Sequence, residues 1–187
     1  NPAPDGTVRS LLATPGDSEL YVGGNFSSIG GANRDNLAQI STDTGNATAF
    51  SADTRGLIKD LALVGDRLYA VGNVWKIQGV HRGYGIVVDA TTGTVGPWDP
   101  HANRSINSIA IADDGSAFVG GYFDMLSDQS RDHIGRVDPS SGAPLPWLSG
   151  SSCQDAENPC VVYELVVDSD ALLIAMGGPG GRVTSLD

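Results

Sequence analysis

The amino-acid sequence repeats itself. Leu20-Tyr-Val-Gly-Gly returns as Leu68-Tyr-Ala-Val-Gly and as Ala117-Phe-Val-Gly-Gly, at offsets of 48 and 49 residues. The same offsets carry Arg34 onto Arg82 and Arg131, Ile40 onto Val88 and Val137, and Gly45 onto Gly93 and Gly142. They also carry Phe50 onto Trp98 and Trp147. Landmarks held in one register define a unit that cannot bury its apolar face alone and must stack on its neighbours. Each unit opens on a matched apolar set: Val8, Leu11, Ala13; Ile58, Leu61, Leu63; Ile106, Ile109, Ile111. A fourth copy starts with Val162, Leu165 and Val167. Its Leu172-Leu-Ile-Ala-Met-Gly-Gly follows Ala117 by 55 residues, the excess lying around Cys153 and Cys160.

Within a unit the residues read as four strands. The first is short and alternating, as in Leu61-Ala-Leu, and runs into a polar turn such as Pro15-Gly-Asp or Asp113-Asp-Gly. The second is the Leu-Tyr-Val type, whose aromatic and β-branched side chains suit a pleated surface. Gly23-Gly24 and Gly120-Gly121 end it where backbones approach closely or bend. The third ends at Ile40, Val88 or Val137. Asp89-Ala-Thr-Thr-Gly93 and Asp138-Pro-Ser-Ser-Gly142 then supply hairpin turns with glycine at the left-handed position. The fourth carries Phe50, Trp98 or Trp147, aromatics expected to pack between neighbouring units. The 25 glycines and 10 prolines fit many short strands joined by tight turns. No stretch shows sustained helical apolar spacing, so almost no helix is expected.

A four-stranded unit of this period has the size of a propeller blade. The expected fold is therefore all-β: one β-propeller domain over residues 1–187, built of four-stranded antiparallel blades at about 7–54, 55–103, 104–150 and 161–187. Residues 151–160 form a cysteine loop inserted before the fourth blade. Three blades read as complete and the fourth as cut short, at the same phase of the repeat where Asn1-Pro-Ala-Pro begins. The expectation is a part of a larger propeller, with further blades or another chain closing the ring; a small four-bladed ring is the alternative.

These residues also carry a resemblance. Gly6-Thr-Val-Arg-Ser-Leu, Leu20-Tyr-Val-Gly-Gly-Asn-Phe-Ser-Ser-Ile-Gly-Gly and Arg34 to Ile40 resemble the repeat of secreted bacterial β-propellers of the delta-60 or kelch-like kind, found in large actinobacterial surface proteins. Trp98-Asp-Pro-His-Ala-Asn resembles that family's blade-to-blade linker. The resemblance covers nearly the whole chain and implies a secreted or cell-surface scaffold. Val88 to Trp98 is also similar to the tryptophan-docking motif of quinoprotein propellers, with one extra residue between glycine and tryptophan. The chain lacks those enzymes' length and adjacent cysteines, so the likeness is read as shared blade mechanics.

Composition narrows the partners. A formal net charge of −11 repels phosphate backbones and anionic membranes, so nucleic acid and membrane insertion are not expected. Cys153 and Cys160, with six residues between them in a polar loop, are read as a loop disulfide, which implies an oxidising compartment; two free thiols are the alternative. Asn25, Asn46 and Asn103 fit the N-glycosylation pattern. The Asp-Xaa-Xaa-Thr-Gly turns are candidate weak calcium sites, although they lack the acidic density of a calcium loop. No other cofactor and no metal site is expected.

No nucleophile elbow, phosphate-cradling loop or zinc-protease motif is present, and no catalytic residue is assigned. The carboxylate pairs Asp113/Asp114 and Asp168/Asp170 fall in turns. Arg34, Arg82 and Arg131 recur with the blade and are read as structural braces, the sharper alternative being a guanidinium ring around an anion. The residues that break the repeat are the better recognition candidates: Trp75, His81, Tyr84, Asp124 and His133. The expected function is a secreted or surface, non-catalytic propeller that binds a protein or glycan at its loop faces, or serves as scaffold. The alternative is a polysaccharide hydrolase or lyase with its site in the central channel or in further blades.

Overall fold

The computed structural model describes residues 1–146, 161–168 and 171–177, and the backbone alone of 183–186. Trp147, Cys153, Cys160 and Asp170 lie outside the described residues, so the expected disulfide and the third recurrent aromatic do too.

Among the described residues the chain is strand and turn throughout. Four three-stranded antiparallel sheets follow one another, each ordered from an innermost to a middle to an outer strand. Blade one is Thr7–Ala13, Glu19–Asn25 and Leu37–Ser41. Blade two is Ile58–Val64, Arg67–Gly72 and Gly85–Asp89. Blade three is Ile106–Ile111, Ala117–Gly121 and Ile134–Val137. Blade four is Val161–Asp168, Ala171–Gly177 and Val183–Leu186. Innermost strands of successive blades lie side by side around an axis, the arrangement of propeller blades.

The fourth strand is present but minimal. In blade one Ser41 N–H donates to Asn46 O (2.9 Å) and Thr48 N–H to Gln39 O (2.9 Å). In blade two Asp89 N–H donates to Thr94 O (2.9 Å) and Gly96 N–H to Val87 O (2.8 Å). Blade three repeats this from Asp138 to Ala143 and from Leu145 to Arg136. Phe50 and Trp98 fall beyond this short strand rather than on it. There the chain turns inward and drives the ring between two blades.

That ring is the centre of each inter-blade core. Trp98 is fully buried and meets Tyr69 edge to face, centroids 5.2 Å apart; Phe50 meets Tyr21 the same way at 5.5 Å. The polar ends of these aromatics reach the next blade's turn. Tyr21 Oη donates to Ala90 O (2.6 Å), Tyr69 Oη to Pro139 O (2.6 Å) and Trp98 Nε1 to Asp138 O (3.1 Å). The turns that supply those carbonyls are built as their residues demand. Gly45, Gly93 and Gly142 all have positive φ, and Asp89 Oδ1 accepts the N–H groups of Thr91 (3.0 Å) and Thr92 (2.7 Å).

Each innermost strand carries a bulge at the same place, between Val8 and Ser10, Ile58 and Asp60, Ile106 and Ser108, and Val162 and Glu164. The glycine facing it leaves no room for a side chain: a Cβ on Gly24 would come within 2.1 Å of Thr7 O, and one on Gly72 within 2.1 Å of Leu57 O. The innermost strand is also a sheet edge, so some of its N–H groups have no ladder partner. The preceding blade supplies one. Asp60 Oδ2 accepts Ile109 N–H (2.9 Å), and Ser108 Oγ accepts Leu165 N–H (3.1 Å) while donating to Asp60 Oδ2 (2.9 Å). Three blades are stitched through two side chains.

Burial follows this stacking. Leu61, Ile109 and Leu165 are 6%, 5% and 3% exposed because the preceding blade covers them, whereas Leu11 at the same repeat position is 59% exposed. Leu61→Ala should therefore cost about 2–5 kcal/mol, while Leu11→Ala should stay within about 0.5 kcal/mol, both read from denaturant unfolding of this chain.

The turn carboxylates give a pH signature. Hydrogen bonds from Ser140 and Ser141 pull Asp138 down to about 2, and the N–H and hydroxyl of Thr92 hold Asp89 below the usual range. A depressed folded value means that the ionised form favours the fold. The contribution is complete above the ordinary carboxylate value of about 3.9 and is lost as pH falls through the folded one. Stability should decline from about pH 4 towards pH 2, and Asp138→Asn should flatten that decline in acid unfolding curves.

Candidate functional site

Between the middle and outer strands of blades one to three sits a small hairpin: Ser28–Ile29 with Ala32–Asn33, Lys76–Ile77 with Val80–His81, and Met125–Leu126 with Gln129–Ser130. All three project from the blade end where the middle strand finishes. The residue before each hairpin occupies one repeated place: Ser27, Trp75 or Asp124. Its carbonyl accepts the N–H of Arg34 (2.9 Å), Arg82 (3.0 Å) or Arg131 (2.8 Å).

Blades one and three tie this place down with a side chain from the incoming linker. Asp5 Oδ1 accepts the N–H groups of Ser27 (2.8 Å) and Ser28 (3.0 Å). Asn103 Oδ1 accepts those of Asp124 (3.1 Å) and Met125 (3.2 Å), and its Nδ2 donates to the Asp124 carboxylate. Blade two departs from the pattern: its incoming linker pairs as a strand, Thr54–Arg55 with Lys76–Ile77, and the backbone carbonyl of Arg55 rather than a side chain accepts Trp75 N–H (3.0 Å). Arg55 stands where the cap should be, and its guanidinium is drawn off to Asp35 (3.2 Å) and Asp53 (3.8 Å). Trp75 is left 49% exposed, stacked on His81 with centroids 5.7 Å apart, and the exposed Val80 lies next to His81 in the hairpin.

The structure thus brings Trp75 and His81 together and separates them from the other candidates. Asp124 holds Trp75's place one blade further on. Tyr84 and His133 share a repeated backbone position with Asn36, at φ of 68°, 65° and 63°. In each, the carbonyl accepts the N–H of Gly24, Gly72 or Gly121 at the end of the middle strand. Tyr84 packs against the core around Trp98, and His133 Nδ1 is buried with no partner among the described residues. The arginines brace the blade. Arg34 donates from Nε to Phe50 O (2.8 Å) and from Nη2 to Thr48 O (2.8 Å), and Arg82 Nη2 donates to Gly96 O (3.0 Å). Arg131 instead spans its own hairpin, to Ser130 O (2.8 Å) and Gln129 Oε1 (2.8 Å).

A second cluster was not anticipated from sequence. The bulge gives each innermost strand one unpaired residue at the axis: Arg9, Lys59, Asn107 and Tyr163. Lys59 Nζ donates to Ser105 Oγ (2.8 Å) and Asn107 Oδ1 (2.7 Å) and lies 5.4 Å from the centre of the Tyr122 ring. Asn107 Nδ2 donates onward to Val162 O (2.8 Å). Burial, and then the charge of Arg9, push Lys59 below the usual lysine range. Burial and the adjacent Tyr163 raise the Tyr122 hydroxyl. Burial raises the Glu164 carboxyl, and the charge of Asp60 adds to it. The signal was there to be read: the apolar residues of this strand are spaced Val8–Leu11, Ile58–Leu61, Ile106–Ile109 and Val162–Leu165. Three-residue steps do not fit a flat strand and mark an inserted pair.

Among the described residues no group of three or more His, Cys, Asp or Glu side chains is placed to hold a metal ion. No helix there is long and apolar enough to cross a membrane.

No protein-family model matches the chain, and no curated protein matches its sequence. Solved structures do. The fold is that of a β-propeller. The chain superposes on the WD40 β-propeller domain of Doa1 with a TM-score of 0.66 at 10% identity, covering 98% of this chain and 52% of that one. The β-propeller domain of Cps50 (Swd1) from Myceliophteria thermophila gives 0.64 at 15% identity, over 100% and 53%. The computationally designed Ika4 protein gives 0.62 at 14% identity, over 97% and 91%. The chain spans about half the length of the two natural propellers, at 52% and 53%.

Glu164 offers a check on the axial electrostatics. A raised folded value means that its charge opposes the fold above the ordinary glutamate range of about 4.3. Glu164→Gln should raise the unfolding midpoint at pH 7 and leave it unchanged near pH 4, where the wild-type carboxyl is already largely neutral.

Proposed function

We propose that this chain is a non-catalytic binding module that grips a protein partner with the hairpin ends of its blades, anchored by Trp75 and His81. The observation that carries this reading is the break in the repeat at blade two. The side-chain cap that blades one and three keep is replaced there by the backbone carbonyl of Arg55, and an indole is turned outward beside an imidazole. Exposed tryptophan is costly in water and is the residue type that most often dominates binding energy at interfaces. The WD40 propellers whose fold the chain shares support a scaffold reading over a catalytic one. So does the use of the axial carboxylate Asp60, which is taken up by Ser108, Ile109 N–H and Leu61 N–H (2.8 Å) rather than left to react. A secreted or cell-surface setting rests on the Cys153 and Cys160 pair and on the resemblance of the repeat.

The test is capture of a partner from an extract of the source organism, identified by mass spectrometry, with wild type against Trp75→Ala and His81→Ala. The reading expects a partner retained by wild type and weakened by Trp75→Ala by about 2 kcal/mol or more, with unfolding midpoints unchanged. Equal capture by all three proteins would place the interface elsewhere. Turnover of a polysaccharide panel that Glu164→Ala abolishes without unfolding would replace binding with catalysis.

A further inference from the structure

We infer that the Trp75 hairpin takes an acidic peptide segment, with an apolar side chain of that segment against the indole and its carboxylates at Lys76 and His81. The inference rests on the binding reading above and supplies the chemistry of the partner. Among the described residues, blade two alone extends its hairpin to three strands: Thr54–Arg55 pairs with Lys76–Ile77, which pairs with Val80–His81. In this register Arg55 lies opposite Lys76, and Lys76 opposite His81. Residues directly opposite on antiparallel strands share one face of the sheet. On the adjacent rung Thr54 and Ile77 are fully buried, so the rung of Arg55, Lys76 and His81 faces outward. The same three places hold Asp5, Ser28 and Asn33 in blade one, and Asn103, Met125 and Ser130 in blade three. Of these three blades, only blade two makes the row basic.

Charge then selects the partner. Asp35 and Asp53 offset Arg55, at 3.2 and 3.8 Å, and so balance the end of the row nearest blade one. The other end carries the Lys76 ammonium, and there Trp75 stacks on His81 with Val80 41% exposed beside it. From Arg67 to Val88 the sequence holds no Asp or Glu, in a chain whose formal net charge is −11. A basic segment would meet carboxylates over most of this surface and repulsion at the hairpin. An acidic segment meets the reverse, so charge marks this place out. The indole and the Val80 side chain call for an apolar group as well, which a peptide carries and an acidic polysaccharide lacks. Arg55 also walls a cavity of about 350 Å³ lined by Asp5, Ser27 and Asp35. Those carboxylates reject a further acid, so the acidic run of the ligand is short and ends on a neutral or basic residue.

The test is selection from a random-peptide phage library on the whole chain, wild type against Trp75→Ala. Wild type is expected to enrich peptides in which a short run of Asp or Glu stands beside Leu, Phe or Trp. One enriched peptide is then titrated by fluorescence anisotropy. Trp75→Ala should weaken it by about thirtyfold or more. Lys76→Gln should weaken it by about tenfold, the size of one charge-assisted hydrogen bond, with its unfolding midpoint kept. Exchange of Glu for Gln in the peptide should cost about the same tenfold and leaves the protein untouched. Neutral or basic peptides that depend on Trp75 would overturn the acidic partner and leave the binding reading standing. Peptides held equally by Trp75→Ala would overturn both. An empty selection would overturn this inference, while the capture experiment still decides the binding reading. Displacement of the peptide by polygalacturonate at equal carboxylate concentration would move the site to acidic polysaccharides and overturn it too.

Discussion

Everything in this molecule depends on an aromatic ring driven between two sheets. Trp98 and Tyr69 meet edge to face, and their polar ends reach across to the carbonyls of Asp138 and Pro139 in the next blade's turn. One contact therefore combines a large buried apolar area with two hydrogen bonds whose acceptors fix the angle of the neighbour. Phe50 and Tyr21 repeat it one blade earlier with a single hydroxyl, to Ala90. A three-stranded sheet of four- to eight-residue strands has little stability alone. Stacked through such contacts it becomes part of a continuous core, and the loops at both ends are free to vary.

That freedom explains where function can be read. A feature shared between blades serves the framework: Arg34 and Arg82 bind the carbonyls of their own outermost strand, and Asn36, Tyr84 and His133 each lend a carbonyl to the equivalent glycine, Gly24, Gly72 or Gly121. A feature present in one blade answers to something else. Arg55 in place of a capping Asp or Asn, with the Trp75–His81 stack that follows from it, is such a departure. So is the cation–tyrosine row at the axis, where the repeated bulge supplies the position but each blade supplies a different side chain.

Much of this architecture was legible in the sequence because it is periodic. The offsets of Tyr21, Tyr69 and Phe118, and of Gly45, Gly93 and Gly142, give the strand order and the turns with no knowledge of coordinates. The two-residue hairpins were not legible, since Lys76–Ile77 and Val80–His81 are too short to show alternation. Phe50 and Trp98 were assigned to a strand that ends just before them, because propensity cannot see a chain leave its ladder to fill a groove. Of the recognition candidates, Trp75 and His81 come together at one hairpin, whereas Tyr84 and His133 differ in side chain but share one repeated backbone position.

The hydrogen bonds from Ile109 to Asp60 and from Leu165 to Ser108 run in one direction, blades three and four each relying on the one before. This gives the repeat a grammar. Copying a whole unit carries its own donor and its own acceptor, so a lengthened propeller inherits correct joints without any new mutation. Replacing the acceptor side chain alone does not, because Asp60 and Ser108 each serve the blade that follows. Growth and loss of whole blades is the cheapest evolutionary step open to such a chain, while a change at one acceptor opens a seam in its neighbour.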